Sequence, residues 1–250
     1  MPLFNELTTD QKEAKILFNE WMNNDDVSIP FVLSGFAGSG KTFLSVRLLK
    51  IFDDRNMCWT VAAPTHKAVG VLRESLASES LIATWFPSTI HRLLRLKLAR
   101  KGHLEVCEKT EHTANALENL DLVLIDEASM IDSKLLEIVL ECAFTFKTRI
   151  VFVGDPAQLP PIGENISPVF FLKRACKFQL KKVVRHQGPV LQLATCLREN
   201  KIPCLVPPLL PILKSNKSQL ACLDKSSWFK QAKESLKKSS AINELDSVRI

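Results

Sequence analysis

None of the seven cysteines stands in a Cys-x-x-Cys pair. An odd, dispersed set argues against a zinc cluster or a disulfide framework, and for reduced thiols in a cytosol. No apolar run approaches the ~18 residues that cross a bilayer. The opening Met1-Pro2-Leu3-Phe4-Asn5-Glu6-Leu7 has no basic n-region and no long apolar stretch, so no secretory signal is expected. The expectation is a cytoplasmic protein with no membrane partner. What is present suits a globular chain: 250 residues, 46% apolar and 24% charged, enough for one large domain or one domain plus part of another. The net charge of +6 is unevenly placed. Residues 1–172 carry 17 basic against 22 acidic side chains, and residues 173–250 carry 16 against 5. A basic last third suits a polyanion, nucleic acid being the usual one, and suits equally a solvated surface that aids solubility.

Short apolar runs alternate with helical patterns. Residues 9–22 read as a helix capped by Thr8 or Thr9, with Ala14, Leu17, Phe18 and Trp21 at helical spacing. Strands are predicted over Ile29–Ser34, Cys58–Ala63, Leu122–Ile125 and Arg149–Val153, and helices over Lys41–Phe52, Thr65–Ser75, Ser88–Leu96 and Lys134–Cys142. This alternation means α/β with a parallel sheet and flanking helices. Alternation about Gly102 within residues 97–119 suggests an inserted hairpin. A strand over Lys177–Val184 and helices over Pro189–Glu199 and Ser226–Lys238 are also expected. Four prolines between Pro203 and Pro211 rule out regular structure there. The composition shift puts a domain boundary near 172–190, drawn as domains 1–172 and 173–250.

Gly35-Phe36-Ala37-Gly38-Ser39-Gly40-Lys41-Thr42 fits G-x-x-x-x-G-K-[ST] between a strand and a helix, the context that gives the motif its meaning. Its glycines let backbone N–H groups curl around phosphate oxygens, and the following helix points its positive end at the same anion. Lys41 reaches the β- and γ-phosphates of ATP, and the Thr42 hydroxyl meets Mg2+. Leu122-Val123-Leu124-Ile125-Asp126-Glu127 is an apolar strand ending in two acids. Asp126 would hold the magnesium and Glu127 would activate the attacking water.

Six motifs in a fixed order resemble superfamily 1 DNA helicases of the RecD/Dda-like branch, over about Leu7 to Glu199. Leu7-Thr8-Thr9-Asp10-Gln11 resembles the segment whose glutamine contacts adenine. Ala62-Ala63-Pro64-Thr65-His66-Lys67 resembles motif Ia, and Ser88-Thr89-Ile90-His91 the nucleic-acid segment after it. Ile125-Asp126-Glu127-Ala128-Ser129-Met130 resembles motif II, and Val153-Gly154-Asp155-Pro156-Ala157-Gln158 motif III. Val184-Arg185-His186 resembles the start of the second motor domain. The resemblance implies a RecA-like P-loop NTPase domain, a small inserted pin at 97–119, and an incomplete second RecA-like domain from 173. It implies that Gln158 and Arg185 sense or neutralise the γ-phosphate, and that Pro64, Thr65, His66, Thr89 and His91 meet single-stranded DNA, at a duplex fork where there is one. Arg92, Arg95, Lys97, Arg100 and Lys101 make the approach to the pin basic. Trp85-Phe86 reads as a core anchor before a base-stacking platform.

The later motifs of that family are not found in the sequence, and the expectation is a truncated or split helicase, with a partner chain one source of the missing part. The leading reading is a DNA-dependent ATPase of helicase type. The alternative is a nucleic-acid-binding protein whose affinity the nucleotide switches without motor activity.

Overall fold

The computed structural model describes residues 7–101, 104–184, 213–214, 219–220, 226–228, 230 and 233–234. Helix α1 (Thr9–Met22) opens with a capping box: the Thr8 side chain accepts from the Gln11 backbone, and the Gln11 side chain accepts from the Thr8 N–H. Its inner face buries Ala14, Phe18, Trp21 and Met22. There follow β1 (Phe31–Gly35), α2 (Lys41–Asp53), β2 (Trp59–Ala63), α3 (His66–Ser78), the two-residue β3 (Ser88–Thr89) and the one-turn α4 (Ile90–Leu93). A hairpin, β4 (Lys97–Lys101) and β5 (Leu104–Glu108), precedes β6 (Leu122–Ile125), α5 (Ser133–Phe146), β7 (Arg149–Gly154) and β8 (Cys176–Leu180).

Six of these strands form one sheet in the order β3-β2-β6-β7-β1-β8, and every neighbouring pair is parallel. The central strands are apolar on both faces because both faces are covered. Leu33, Val61, Leu124 and Val153 point into a core with Phe18, Leu44, Phe52 and Leu72. Their neighbours Val32, Ala62, Val123 and Phe152 point into a second core with Ile90, Leu136 and Val139. Each fully buried Val, Leu, Ile or Phe among them contributes about 1.5–3 kcal/mol. In a parallel sheet all carboxyl ends share one edge, so Gly35, Ala63, Thr89, Ile125 and Gly154 line up there. Loops on that edge are where α/β sheets hold ligands.

Three elements differ from expectation. The helix expected over Ser88–Leu96 is β3 followed by α4, because Thr89 first pairs with Ala63 and then caps the turn. The inserted hairpin spans only Lys97–Glu108. Its second strand is followed by a segment that packs back under α5, with Ala116, Leu117 and Leu120 buried and Thr148 Oγ1 donating to Leu120 O at 2.9 Å. The strand expected over Lys177–Val184 ends at Leu180 and pairs with β1, so the first unit extends past residue 172 to Arg185. In the second unit, from His186 on, β9 (Leu213–Lys214) and β10 (Gln219–Leu220) form an antiparallel pair. Residues 226–228, 230 and 233–234 are helical. Arg185 and the helix expected over Pro189–Glu199 lie outside the described residues. Among the described residues no helix is long and apolar enough to cross a membrane.

Candidate nucleotide-binding site

The loop from β1 to α2 turns through Gly38 (φ 81°) and Gly40 (φ 83°), both left-handed. Only glycine serves at 40: a Cβ there would sit 2.6 Å from Gln11 Nε2. The loop thus leads straight into the amino end of α2, the positive end of the helix dipole, which suits an anion. Lys41 folds back over the loop, its Nζ donating to Gly35 O at 2.8 Å and Phe36 O at 3.2 Å. Gln11 is 2% exposed, and its Nε2 donates to Ser39 O at 3.2 Å. Its amide therefore ties α1 to the loop.

β6 delivers Asp126 to the same place. Thr42 Oγ1 donates to Asp126 Oδ2 at 3.4 Å across the base of the loop. Burial pushes the Asp126 carboxyl up to about 6; the Glu127 backbone N–H pulls the other way, while the Glu127 charge adds to the rise. Glu127 stands in the left-handed region, φ 55° and ψ 41°, costing about 1 kcal/mol or more. β7 passes close to this turn at Gly154, where a Cβ would be 3.1 Å from Ala128 N. Asp155 is buried beyond it; its Oδ1 accepts from Ala157 N and its carbonyl from Gln158 N, both at 3.0 Å. This turn sets Gln158 on the rim. Together these residues line a cavity of about 490 Å³, with Gln11, Gly38, Lys41, Thr42, Asp126, Glu127 and Gln158 in its walls. Thr8, Phe43 and Val184 line it too. Two buried hydroxyls, Ser39 Oγ and Ser129 Oγ, have no hydrogen-bond partner.

The nucleic-acid candidates stand on the same edge, at the ends of β2 and β3. Thr65 and Thr89 spend their hydroxyls on helix caps, accepting from Ala68 N at 3.2 Å and Arg92 N at 3.3 Å. Pro64 is half-buried and His66 exposed. His91 is half-buried, and burial lowers its pKa although the Asp132 charge opposes this. A second groove, of about 360 Å³, runs beside α3; Thr65, Lys67, Val71, Met130 and Leu159 line it. Glu127 and Gln158 line both this groove and the first cavity. The aromatic pair is split: Trp85 packs against the core, whereas Phe86 is exposed under the Arg73 guanidinium, 4.1 Å from its ring.

Sequence reasoning missed the capping box that binds Gln11, although Thr-x-x-Gln is its signature. Val184 and Ser129 fall inside quoted motifs, but neither was singled out as a site residue. Among the described residues no group of three or more His, Cys, Asp or Glu would hold a metal unaided.

A strand, a glycine loop with its lysine, and a parallel strand ending in Asp126-Glu127 define a P-loop NTPase domain of RecA-like architecture. The chain belongs to the AAA domain family, which matches residues 7–205, and is of superfamily 1 helicase type, with Dda and RecD among its relatives. It is 29% identical over 204 residues to the ATP-dependent DNA helicase Dda of Enterobacteria phage T4, covering 79% of this chain and 44% of that protein. It is 34% identical over 163 residues to protein R530 of Acanthamoeba polyphaga mimivirus, covering 60% of this chain and 33% of that one. Its fold is similar to Pif1 helicase from Candida albicans (TM-score 0.58, 17% identity, 93% of this chain and 55% of that). It is similar too to Bacteroides Pif1 bound to single-stranded DNA (TM-score 0.56, 19% identity, 92% and 56%). The chain spans less than half the length of the two curated relatives named.

Proposed function

We propose that this chain is a DNA-dependent ATPase of helicase type. The observation that carries the reading is that Glu127 and Gln158 line both the phosphate cavity and the groove beside Thr65. These two side chains are placed to link the nucleotide with a strand in the groove.

ATP would enter with its phosphates on the loop 35–42, with Lys41 exchanging its carbonyl partners for phosphate oxygens. Gln11 would turn its amide to the N6/N7 edge of adenine, which needs one donor and one acceptor. The Thr42 hydroxyl and the Asp126 carboxylate fit Mg2+: one acid and one hydroxyl leave the remaining positions to phosphate and water, as magnesium prefers. Bound there, the ion would neutralise phosphate charge. Glu127 would take a proton from the attacking water. Gln158 would report whether the γ-phosphate is present, and Arg185 would offset charge building on it. Pro64, Thr65, His66, Thr89 and His91 would meet single-stranded DNA; Thr65 and Thr89 would do so from capped helix ends, whose N–H groups suit phosphate.

ATP turnover with and without single-stranded DNA tests the proposal. DNA-stimulated hydrolysis that Lys41→Ala and Glu127→Gln abolish is the expected result. Tight DNA binding that responds to nucleotide without any turnover would replace it with the switch reading.

A further inference from the structure

Asp10 sits in the first turn of α1, one residue before Gln11. Its carboxylate does more than cap the helix. Oδ2 accepts from the backbone N–H of both Lys181 and Lys182, each at 3.1 Å. Oδ1 accepts from the Thr8 hydroxyl and from Gln11 N. Burial raises the carboxyl, but the Thr8 hydroxyl and the Lys182 and Lys181 amides outweigh it and hold Asp10 below the usual range.

Residues 181–184 are the strap of chain that leaves β8 and ends the first unit. Its far end is tied elsewhere. Val184 N donates to Gly38 O at 2.8 Å, and Val184 Cγ2 lies 3.5 Å from where a Cβ on Gly40 would stand. Val184 thereby becomes a wall of the nucleotide cavity. The strap carries two exposed lysine side chains and belongs to no strand or helix. Three backbone bonds hold it, two to one carboxylate and one to the phosphate loop itself.

We propose that Asp10 is a positioning residue that latches strap 181–184 onto the phosphate loop, so that nucleotide occupancy and the path of the chain leading to Arg185 are coupled. The proposal rests on the reading of the loop as a nucleotide site. A phosphate on the loop fixes Gly38, and with it the carbonyl that holds Val184. A latched strap in turn keeps Val184 against the cavity. Such coupling is reciprocal: the factor by which the latch tightens nucleotide is the factor by which nucleotide tightens the latch.

The test combines backbone hydrogen exchange over residues 176–184 with titration by a fluorescent ADP analogue and Mg2+, using the full chain. In the wild type the Lys181, Lys182 and Val184 amides exchange slowly, and Mg-ADP slows them further. Asp10→Ala speeds their exchange and weakens nucleotide binding by roughly fivefold or more, while β8 stays protected. Ala14→Gly loosens the same helix from a buried site with no contact to the strap, and lowers Tm without either effect. Replacing both Lys181 and Lys182 by alanine changes neither reading, since the bonds are made by backbone. The latch is overturned if Asp10→Ala behaves like Ala14→Gly, or if the double lysine variant reproduces Asp10→Ala. If the wild type binds no nucleotide, the ATPase reading fails instead, and the exchange difference between wild type and Asp10→Ala still decides whether Asp10 holds the strap.

Discussion

The two edges of the sheet are built to different standards. At the amino edge, among the described residues, no buried side-chain donor or acceptor lacks a partner. Arg149 donates to the carbonyls of Trp21 and Asn24 and lies over the Trp21 ring, 5.3 Å from its centroid. Trp21 Nε1 donates to Ile29 O at 2.7 Å, and Asp121 Oδ2 accepts from Cys58 N at 2.7 Å. The left-handed residues before β2, β6 and β7 are of ordinary kinds: Asn56 and Asn119 are asparagines, which tolerate that region, and Lys147 closes α5 as helix ends commonly do. At the carboxyl edge the same fold tolerates a buried carboxylate raised to about 6, a left-handed glutamate that ends no helix, and two buried hydroxyls without partners. The buried polar groups of one edge are paired within the protein, whereas those of the other include groups that a ligand bound as proposed above would engage. Misfits concentrated on one edge of an otherwise consistent fold mark where function resides.

Four predictions sharpen or break that contrast. The largest effect is expected of Glu127→Gln, which removes the group proposed to activate the attacking water: hydrolysis falls by roughly 10²–10⁴-fold with nucleotide binding kept, measured by turnover and titration. Next is Arg149→Ala on the amino edge. It strips two carbonyls of their donor and costs about 2–4 kcal/mol in urea denaturation, with nucleotide affinity unchanged. Third is Asp126→Asn. Because the folded carboxyl is raised from 3.8 to about 6, its contribution to stability is full below pH ~4 and is lost as pH rises through ~6. Removing the charge should therefore raise the Tm of the ligand-free protein by roughly 2–4 °C or more at pH 8 and by little at pH 4. Equal shifts at both pH values would contradict the assignment. The smallest effect separates Glu127→Gly from Glu127→Ala. Both lack the carboxylate, but glycine accepts the left-handed backbone, so the glycine variant is more stable by roughly 1 kcal/mol.

Much of this was legible because the strong signals are local. The loop 35–42 has a fixed spacing, and Leu122–Ile125 and Arg149–Val153 are apolar runs that only a strand covered on both faces explains. What was not legible depends on partners far along the chain. β8 alternates exposed and half-buried residues as the sheet's edge strand, and nothing local says that it joins β1. β3 is two residues long and is read into the following helix until its pairing with Ala63 is seen. Gln11 has the residue type for an adenine contact, but its burial and its bond to Ser39 come from how α1 docks on the loop. Thr65 and Thr89 look like free nucleic-acid contacts in sequence, whereas their hydroxyls cap α3 and α4. The strain at Glu127 has no sequence signature at all.

The central claim is that the carboxyl edge is incomplete without Mg-nucleotide, and thermal unfolding at pH 8 with and without Mg-ATP tests it most directly. At about 100 times its Kd the ligand should stabilise the wild type by roughly 2.7 kcal/mol and leave Asp126→Asn nearly unmoved, closing most of the ligand-free gap between them. A wild-type Tm that does not respond to Mg-ATP, or an Asp126→Asn protein that gains as much as the wild type, would contradict it.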